Sequence, residues 1–402
     1  MTGKKIAFLM DSPFTCGGEQ RVVTSVANLL CLQGYNISII CTRYNNKKSD
    51  IYNLNEEVKI IDVSTNTTID EFVLKINNKL RKINSKFHCL PKCVIKKLML
   101  TRRIRKNIFR KIKENNFDFV IGVASLYSLF LATYRNKIST ETKIIGWQHN
   151  NFNAYFNTKG RRLYNEKKIF KKYANNFYKY IVLMNDDKLK MDKFFNMSCT
   201  KIFNPLSFDS NNIKKLKQEK FVFVGRIENV KGVDLLLEAY KKYIELGGYW
   251  KLDIVGDGSK KNDLMNKAKF LKIDDCVNFV GFTTNVQDYL SESMVSLIPS
   301  RWEGFGLVLT ESMQLGLPAI CFRLLPFEEI TEGFSSCVFV KPYDVDDFAK
   351  EMIKLSSDKE CIIRMSSEAE KNARIFEGKT IVKEWMKILE EIGDCDENRK
   401  IN

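Results

Sequence analysis

The sequence predicts an α/β chain built as two doubly wound halves, each with a parallel sheet. Three observations predict it. At 402 residues the chain exceeds what one core of ordinary size holds. Short apolar runs of strand length alternate with helical patterns of roughly 10–15 residues, the signature of βαβ units. The pattern also restarts near residue 220, after a polar stretch without period at 205–219 that reads as a linker. These boundaries give an N-terminal half over 1–204, a C-terminal half over 220–378 and a last helix over 379–402.

The N-terminal half opens with a buried-strand pattern, Lys4-Lys5-Ile6-Ala7-Phe8-Leu9-Met10. Asp11 ends it, Gly17 and Gly18 form a tight turn, and a helix follows to Leu32 with Val22, Val23, Val26, Leu29 and Leu30 inward. Gly34 stops that helix before the strand Ile37–Cys41. A Gly-Gly turn between strand and helix offers free N–H groups to an anion, although a plain tight connection has the same appearance. G-x-G-x-x-G is absent, which weighs against a dinucleotide-dependent dehydrogenase. Further strands are expected at 58–63, 116–123, 143–147, 180–184 and 201–203. Helices are expected over 160–177 and 186–195. His149 follows the strand Lys143–Trp147, at the carboxyl end where α/β proteins place ligands. A single histidine there is also a common structural residue.

In the C-terminal half the strands are Phe221–Val224, Lys251–Val255, Val277–Val280, Val295–Pro299, Ala319–Phe322 and Ser336–Val340, with a helix at Val233–Leu246. The closing helices are Asp346–Leu355, Glu360–Phe376 and Thr380–Ile392. Asp344-Val-Asp346 reads as a helix N-cap. Asp394-Cys-Asp396 reads as a polar tail beyond the last helix.

The most informative stretch is residues 299–318, Pro-Ser-Arg-Trp-Glu-Gly-Phe-Gly-Leu-Val-Leu-Thr-Glu-Ser-Met-Gln-Leu-Gly-Leu-Pro. A strand, a turn with Gly304 and Gly306, and a helix start present N–H groups and the positive end of a dipole to an anion. Glu303 and Glu311 are eight positions apart, so on one helix they would share nearly one face. Glu311 could then bond the vicinal hydroxyls of a ribose. A helix N-terminus with an acidic first turn explains the same residues on dipole grounds alone. Arg226 leaves the first strand of this half and Lys231 precedes the next helix. A guanidinium fork and an ammonium point charge around one turn suit a diphosphate.

With these motifs in order along almost the whole chain, the sequence resembles the retaining glycosyltransferases of family 4. The resemblance rests on Pro-Ser with E-x₇-E and Gly-Phe-Gly, on Gly-Arg-Ile-Glu-Asn-Val-Lys-Gly, on Val-Gly-Asp-Gly at 255–258, on the Gly-Gly turn and on Trp-Gln-His-Asn at 147–150. It implies a GT-B fold, two Rossmann-like domains whose parallel sheets face across a cleft, with the last helix crossing back to the first domain. It also implies transfer with retention of configuration. The expected donor is a UDP-sugar carrying a hexose or N-acetylhexosamine, and because Arg226 and Lys231 can take the place of a metal beside the diphosphate, transfer is expected to be metal-independent. Arg226, Lys231, His149 and Glu303 would be catalytic. Gly17, Gly18, Gly256, Gly304, Phe305, Gly306, Leu307 and Glu311 would hold the nucleotide sugar, and Asp11 would lie near the acceptor. No cofactor is expected beyond the UDP-sugar co-substrate.

Charge adds a partner. The formal net charge is +17, and thirteen Lys or Arg with no Asp or Glu lie between Arg81 and Lys113. From about Thr68 to Asn115 the pattern is helical, interrupted near Pro91. Leu100, Ile104, Ile108 and Ile112 form a stripe, with Arg102, Arg103, Arg105, Lys106 and Arg110 on other faces. A basic amphipathic helix suits an anionic membrane surface, at about 1 kcal/mol per basic residue. A solvated helix face is the plainer reading. A nucleic acid is not expected, since no stacking aromatics or known binding motif accompany the charge.

No apolar run is long enough to span a bilayer, and no secretory leader pattern is present. The eleven cysteines include no C-x-x-C pair, which suits reduced thiols. A metal at His88, Cys89 and Cys93 would lack further ligands. Together these readings predict a cytoplasmic enzyme, peripheral on the inner face of the plasma membrane, acting on a glycan or lipid-linked acceptor. Two alternatives stay open: a sugar-nucleotide epimerase or other GT-B enzyme, and a non-catalytic nucleotide-sugar binding partner of a transferase.

Overall fold

The computed structural model describes residues 3–43, 50–65, 68–87, 90–158, 163–164, 166–207 and 218–397. Most of the expected linker (208–217) lies outside the described residues, as do His88, Cys89 and positions 160–162 of the expected helix. The chain divides into two compact units, Met1–Pro205 with Gly378–Asn402, and Leu206–Glu377. Both are parallel α/β layers of the Rossmann type.

The sheet of the N-terminal unit has seven strands: β1 Lys5–Met10, β2 Asn36–Cys41, β3 Lys59–Asp62, β4 Phe119–Val123, β5 Lys143–Trp147, β6 Lys179–Val182 and β7 Cys199–Lys201. Their order is β3-β2-β1-β4-β5-β6-β7. Ile6 to Met10 are all fully buried, as a central strand covered on both faces requires. Strand order reverses between β1 and β4, so loops leaving these two strands diverge and open a crevice at their carboxyl ends. The helices are α1 Gly18–Leu32, α2 Thr68–Phe87, α3 Lys92–Leu98, α4 Arg102–Asn115, α5 Ala124–Thr133, α6 Phe152–Phe156, α7 Lys167–Tyr173 and α8 Asn185–Phe195. The sequence reading has no counterpart of α5. Residues Ser125 to Thr133 are all buried and none is charged, so this helix is buried around its circumference and leaves no periodic stripe to detect.

The C-terminal unit holds six strands: β8 Gln218–Val224, β9 Lys251–Val255, β10 Val277–Gly281, β11 Ser293–Ile298, β12 Ala319–Phe322 and β13 Cys337–Val340. Their order is β10-β9-β8-β11-β12-β13, and here the reversal falls between β8 and β11. The helices are α9 Val233–Glu245, α10 Lys261–Phe270, α11 Val286–Glu292, α12 Leu307–Gln314, α13 Leu325–Ile330, α14 Val345–Ser357 and α15 Lys359–Ala373. Asp344 caps α14, accepting from the Asp347 amide at 2.9 Å.

The last helix, α16 Gly378–Glu397, belongs to the N-terminal unit. Trp385 sits edge-on to Trp147 at 4.8 Å and to Phe8 at 6.4 Å, and Lys4 bonds the Leu389 carbonyl at 3.2 Å. Because α16 runs to Glu397, Asp394 and Asp396 lie in its final turns, not in a tail beyond it. No described helix is long and apolar enough to cross a membrane.

Gly232 caps α9 with φ 71, and a Cβ there would overlap the Pro299 carbonyl oxygen at the end of β11. Gly247 has φ 90 but nothing within 4 Å of its Cβ position. Gly247→Ala therefore carries backbone strain alone, about 1 kcal/mol. Gly232→Ala adds a backbone collision and is expected to cost at least about 2 kcal/mol more by urea unfolding.

Candidate functional site

The loops leaving β8, β9 and β11 converge beside the strand-order reversal of the C-terminal sheet. Gly256, φ 142, brings the β9 loop onto the Gly225 carbonyl, and a Cβ on Gly258 would strike the Ile227 carbonyl. The Ile227 amide donates to Asp257 O at 2.9 Å. Val-Gly-Asp-Gly is thus a backbone-on-backbone packing device, which glycine alone permits. Glu228 ties the same loops by accepting the Ser259 amide at 2.9 Å and hydroxyl at 2.8 Å. Those bonds, ahead of the nearby Arg226 charge, hold Glu228 below the usual carboxylate range.

Lys231 reaches across Gly225, its Cε lying 3.7 Å from the position a Gly225 Cβ would occupy. Its Nζ donates to Glu303 Oε1 at 2.7 Å, and the buried Ser300 hydroxyl donates to the same oxygen at 2.7 Å. Arg226 is exposed on the adjoining loop. The turn is braced from behind by Arg301, whose fork grips Asp234 through two 2.7 Å bonds. Arg301 also donates to Asn229 O at 2.6 Å, and its amide donates to Val230 O at 2.8 Å. Burial raises the Asp234 carboxyl, but the Arg301 pairing outweighs it and leaves the group below its ordinary value. Sequence reading overlooked Arg301 and Asp234. They are 67 positions apart, and only the Arg-Trp-Glu run beside Glu303 could have drawn attention to one of them.

The expectation that Glu303 and Glu311 share a helix face is incorrect. Helix α12 begins at Leu307, so Glu303 lies in the preceding turn and only Glu311 is helical. Gly306 caps α12 with φ 113, and a Cβ there would meet Phe327 at 2.5 Å. Gly304 and Phe305 are buried, with Phe305 edge-on to Phe376 at 6.0 Å. Leu307 opens the first turn, in which the Leu309 amide already donates to the Gly306 carbonyl at 2.9 Å, and Glu311 is buried one turn further. Arg226, Lys231, Gly256, Glu303, Gly304, Phe305, Gly306, Leu307 and Glu311 therefore lie on one loop cluster and the helix it starts. Its cations, amides and dipole suit a diphosphate.

The remaining expected residues belong to the N-terminal unit. Asp11 follows β1, its Oδ1 accepting from Tyr127 of α5 and from Thr42 at 3.4 Å. Gly17 caps α1 in an extended conformation that any residue adopts, and its amide already donates to the Tyr52 hydroxyl at 2.9 Å. Gly18 is the first residue of α1. Fewer N–H groups are thus open to an anion at this turn than the sequence implied. His149 packs on Trp147 at 4.2 Å, and its amide donates to the Tyr155 hydroxyl at 3.2 Å. Its Nε2 is shut off from solvent, and burial pushes the imidazole down to about 3.

On α4, Ile104, Ile108 and Ile112 are buried as the stripe predicts. Arg102, Arg103, Lys106, Arg110 and Lys113 are exposed, within a sector of about 100° opposite that stripe. Arg105 departs from the expected outward face: its guanidinium bonds the Tyr134 hydroxyl at 2.6 Å.

Residues 207–375 match the family model described as Glycosyl transferases group 1. The match covers most of the C-terminal unit. Over nearly the full length, the chain is similar to an uncharacterized glycosyltransferase of Haemophilus influenzae (27% identity; 96% of this chain, 100% of that one). It is likewise similar to the Campylobacter jejuni GalNAc-alpha-(1->4)-GalNAc-alpha-(1->3)-diNAcBac-PP-undecaprenol alpha-1,4-N-acetyl-D-galactosaminyltransferase (25% identity; 96% and 99%). Among solved structures, S. aureus TarM in complex with Fondaparinux, alpha-GlcNAc-glycerol and UDP superposes with TM-score 0.73 at 15% identity, covering 96% of this chain and 99% of that one. That superposition shows the GT-B fold.

His149 is expected to stay neutral across the working range. Its imidazole NMR signals should not titrate between pH 8 and 5. The unfolded chain binds this proton below about 6.5, whereas the folded chain does so only near 3. Stability is therefore lost as pH falls through that window, and His149→Gln should flatten the slope measured by urea unfolding.

Proposed function

We propose that the chain is a GT-B glycosyltransferase of the group 1 type, moving a hexose or N-acetylhexosamine from a UDP-sugar to a glycan acceptor, with retention of configuration and no metal. The observation that carries this reading is the cluster of Arg226, Lys231 and the α12 amides at the strand-order reversal of a group 1 domain. The acceptor is lipid-linked and the enzyme peripheral on the cytoplasmic face of the membrane. The lipid diphosphate in the name of the Campylobacter relative and the outward basic face of α4 support that placement.

In the proposed reaction the bond from the anomeric carbon to the diphosphate oxygen breaks, and its electron pair leaves with UDP. The acceptor hydroxyl oxygen bonds the anomeric carbon from the same face, and its proton passes to the departing phosphate. Negative charge grows on the diphosphate, where Arg226, Lys231 and the amides after Gly306 are most favourable. Glu303 holds a donor-sugar hydroxyl and Glu311 the ribose. The roles that the resemblance gives to His149, Asp11, Gly17 and Gly18 form part of the same proposal.

Lys231→Ala is expected to lower kcat by about a hundredfold or more while leaving the fold intact. Glu311→Gln should abolish the thermal stabilisation that UDP confers on the parent. Turnover of a UDP-sugar without any acceptor would indicate an epimerase instead. Catalysis should survive excess chelator. Abolition by chelator with rescue by magnesium or manganese would overturn the metal-free mechanism.

A further inference from the structure

Helix α2 is amphipathic in the reverse sense. Among its described side chains the fully buried ones are polar, Asp70, Asn77, Arg81 (5% exposed) and Asn84 (4%), with the partly buried Leu74 packing on the core beside them. Each of three has a partner that explains its burial. Arg81 pairs with Glu166 at 3.1 Å, Asp70 with Arg103 at 3.6 Å, and Asn84 Oδ1 accepts the Leu90 amide at 2.9 Å. One outward sector is apolar: Phe72 (63% exposed), Ile76, Leu80, Ile83 and Phe87 (72%). At 100° per residue these five fall within a sector of about 80°, and from Phe72 to Phe87 the stripe runs about 22 Å. A helix docked by its polar face, with a continuous apolar stripe outside, does not fit a water-facing role.

From this stripe we infer that α2 is the element of this protein that enters the membrane interface, lying in its plane with Phe72, Ile76, Leu80, Ile83 and Phe87 among the acyl chains of an anionic bilayer. The inference rests on the peripheral placement proposed above and adds which helix inserts. Charge selects lipid over protein. Lys75 and Lys79 are exposed along one edge of the stripe. The Arg103–Asp70 bond ties the first turn of α2 to the exposed basic face of α4. A second copy of the chain meeting this surface would bring two cationic faces together, whereas anionic headgroups neutralise them. The apolar stripe supplies depth and the cations supply attraction, the pairing that holds an interfacial helix. Because the helix is fixed by Arg81 and Glu166 underneath, insertion requires no refolding.

The test uses the full chain and vesicles of phosphatidylglycerol with phosphatidylethanolamine, compared with phosphatidylcholine alone. The double variant Phe72→Ser/Phe87→Ser is expected to melt like the parent and to bind anionic vesicles about tenfold or more weakly. Phe87→Trp should gain emission that lipids brominated on their acyl chains quench. Salt-sensitive vesicle binding that ignores the serine pair would overturn insertion by α2 and leave the electrostatic placement standing. No vesicle binding at all would remove both, while transfer to a soluble acceptor would still stand or fall separately. Loss of self-association in the serine variant, with vesicle binding unchanged, would assign the stripe to a second copy.

Discussion

Direct contact of backbone with backbone shapes the C-terminal site. Gly232 against Pro299 and Gly256 against Gly225 press three strand-end loops together more closely than any side chain would allow. Both glycines hold positive φ, so conformation and close approach make the same demand. Everything electrostatic is built on that base. Lys231 reaches Glu303 because Gly232 lets the start of α9 approach the end of β11. The Arg301–Asp234 fork braces the same junction, and a bidentate pair of this kind fixes orientation as well as distance.

The charges in this cluster are matched in advance. Glu303 Oε1 receives both Lys231 and Ser300, so the ammonium is not an open cation waiting for a ligand. A carboxylate with one oxygen fixed in this way keeps its second oxygen oriented, which suits contact with a sugar hydroxyl. Under the proposed function a diphosphate, which carries more charge than one carboxylate, would share Lys231 with Glu303. The half-buried pair holds the lysine in place, which lowers the ordering that a ligand must impose.

Strands were the most legible part of the chain, because a parallel strand covered on both faces is a short unbroken apolar run, as Ile6–Met10 shows. The order of motifs at strand ends was legible for the same reason. Three features were hidden. Helix α5 is buried around its circumference, so no period marks it. The relation between Glu303 and Glu311 depended on where α12 begins, and helix starts are set by a cap, here Gly306 with its neighbour Phe327, rather than by residue spacing. The Arg301–Asp234 brace joins residues brought together only by the sheet order.

Helix α2 shows the deepest limit of pattern reading. Periodicity reveals that a helix has an apolar face, but not which way that face points. The usual inference sends it inward, because apolar area removed from water is stabilising at about 25 cal/mol per Å². Here α2 is held by an Arg81–Glu166 pair buried on both sides and by the Asn84 side chain, which accepts the Leu90 amide, so its polar face is docked. Breaking such a pair by removing one partner leaves an uncompensated buried charge. Burial raises the Glu166 carboxyl and Arg81 opposes that rise. The helix is therefore committed to one orientation by interactions that would be costly to lose. Its apolar stripe is left to whatever medium lies outside, and a stripe bordered by cations is best matched by a medium that is apolar within and anionic at its surface.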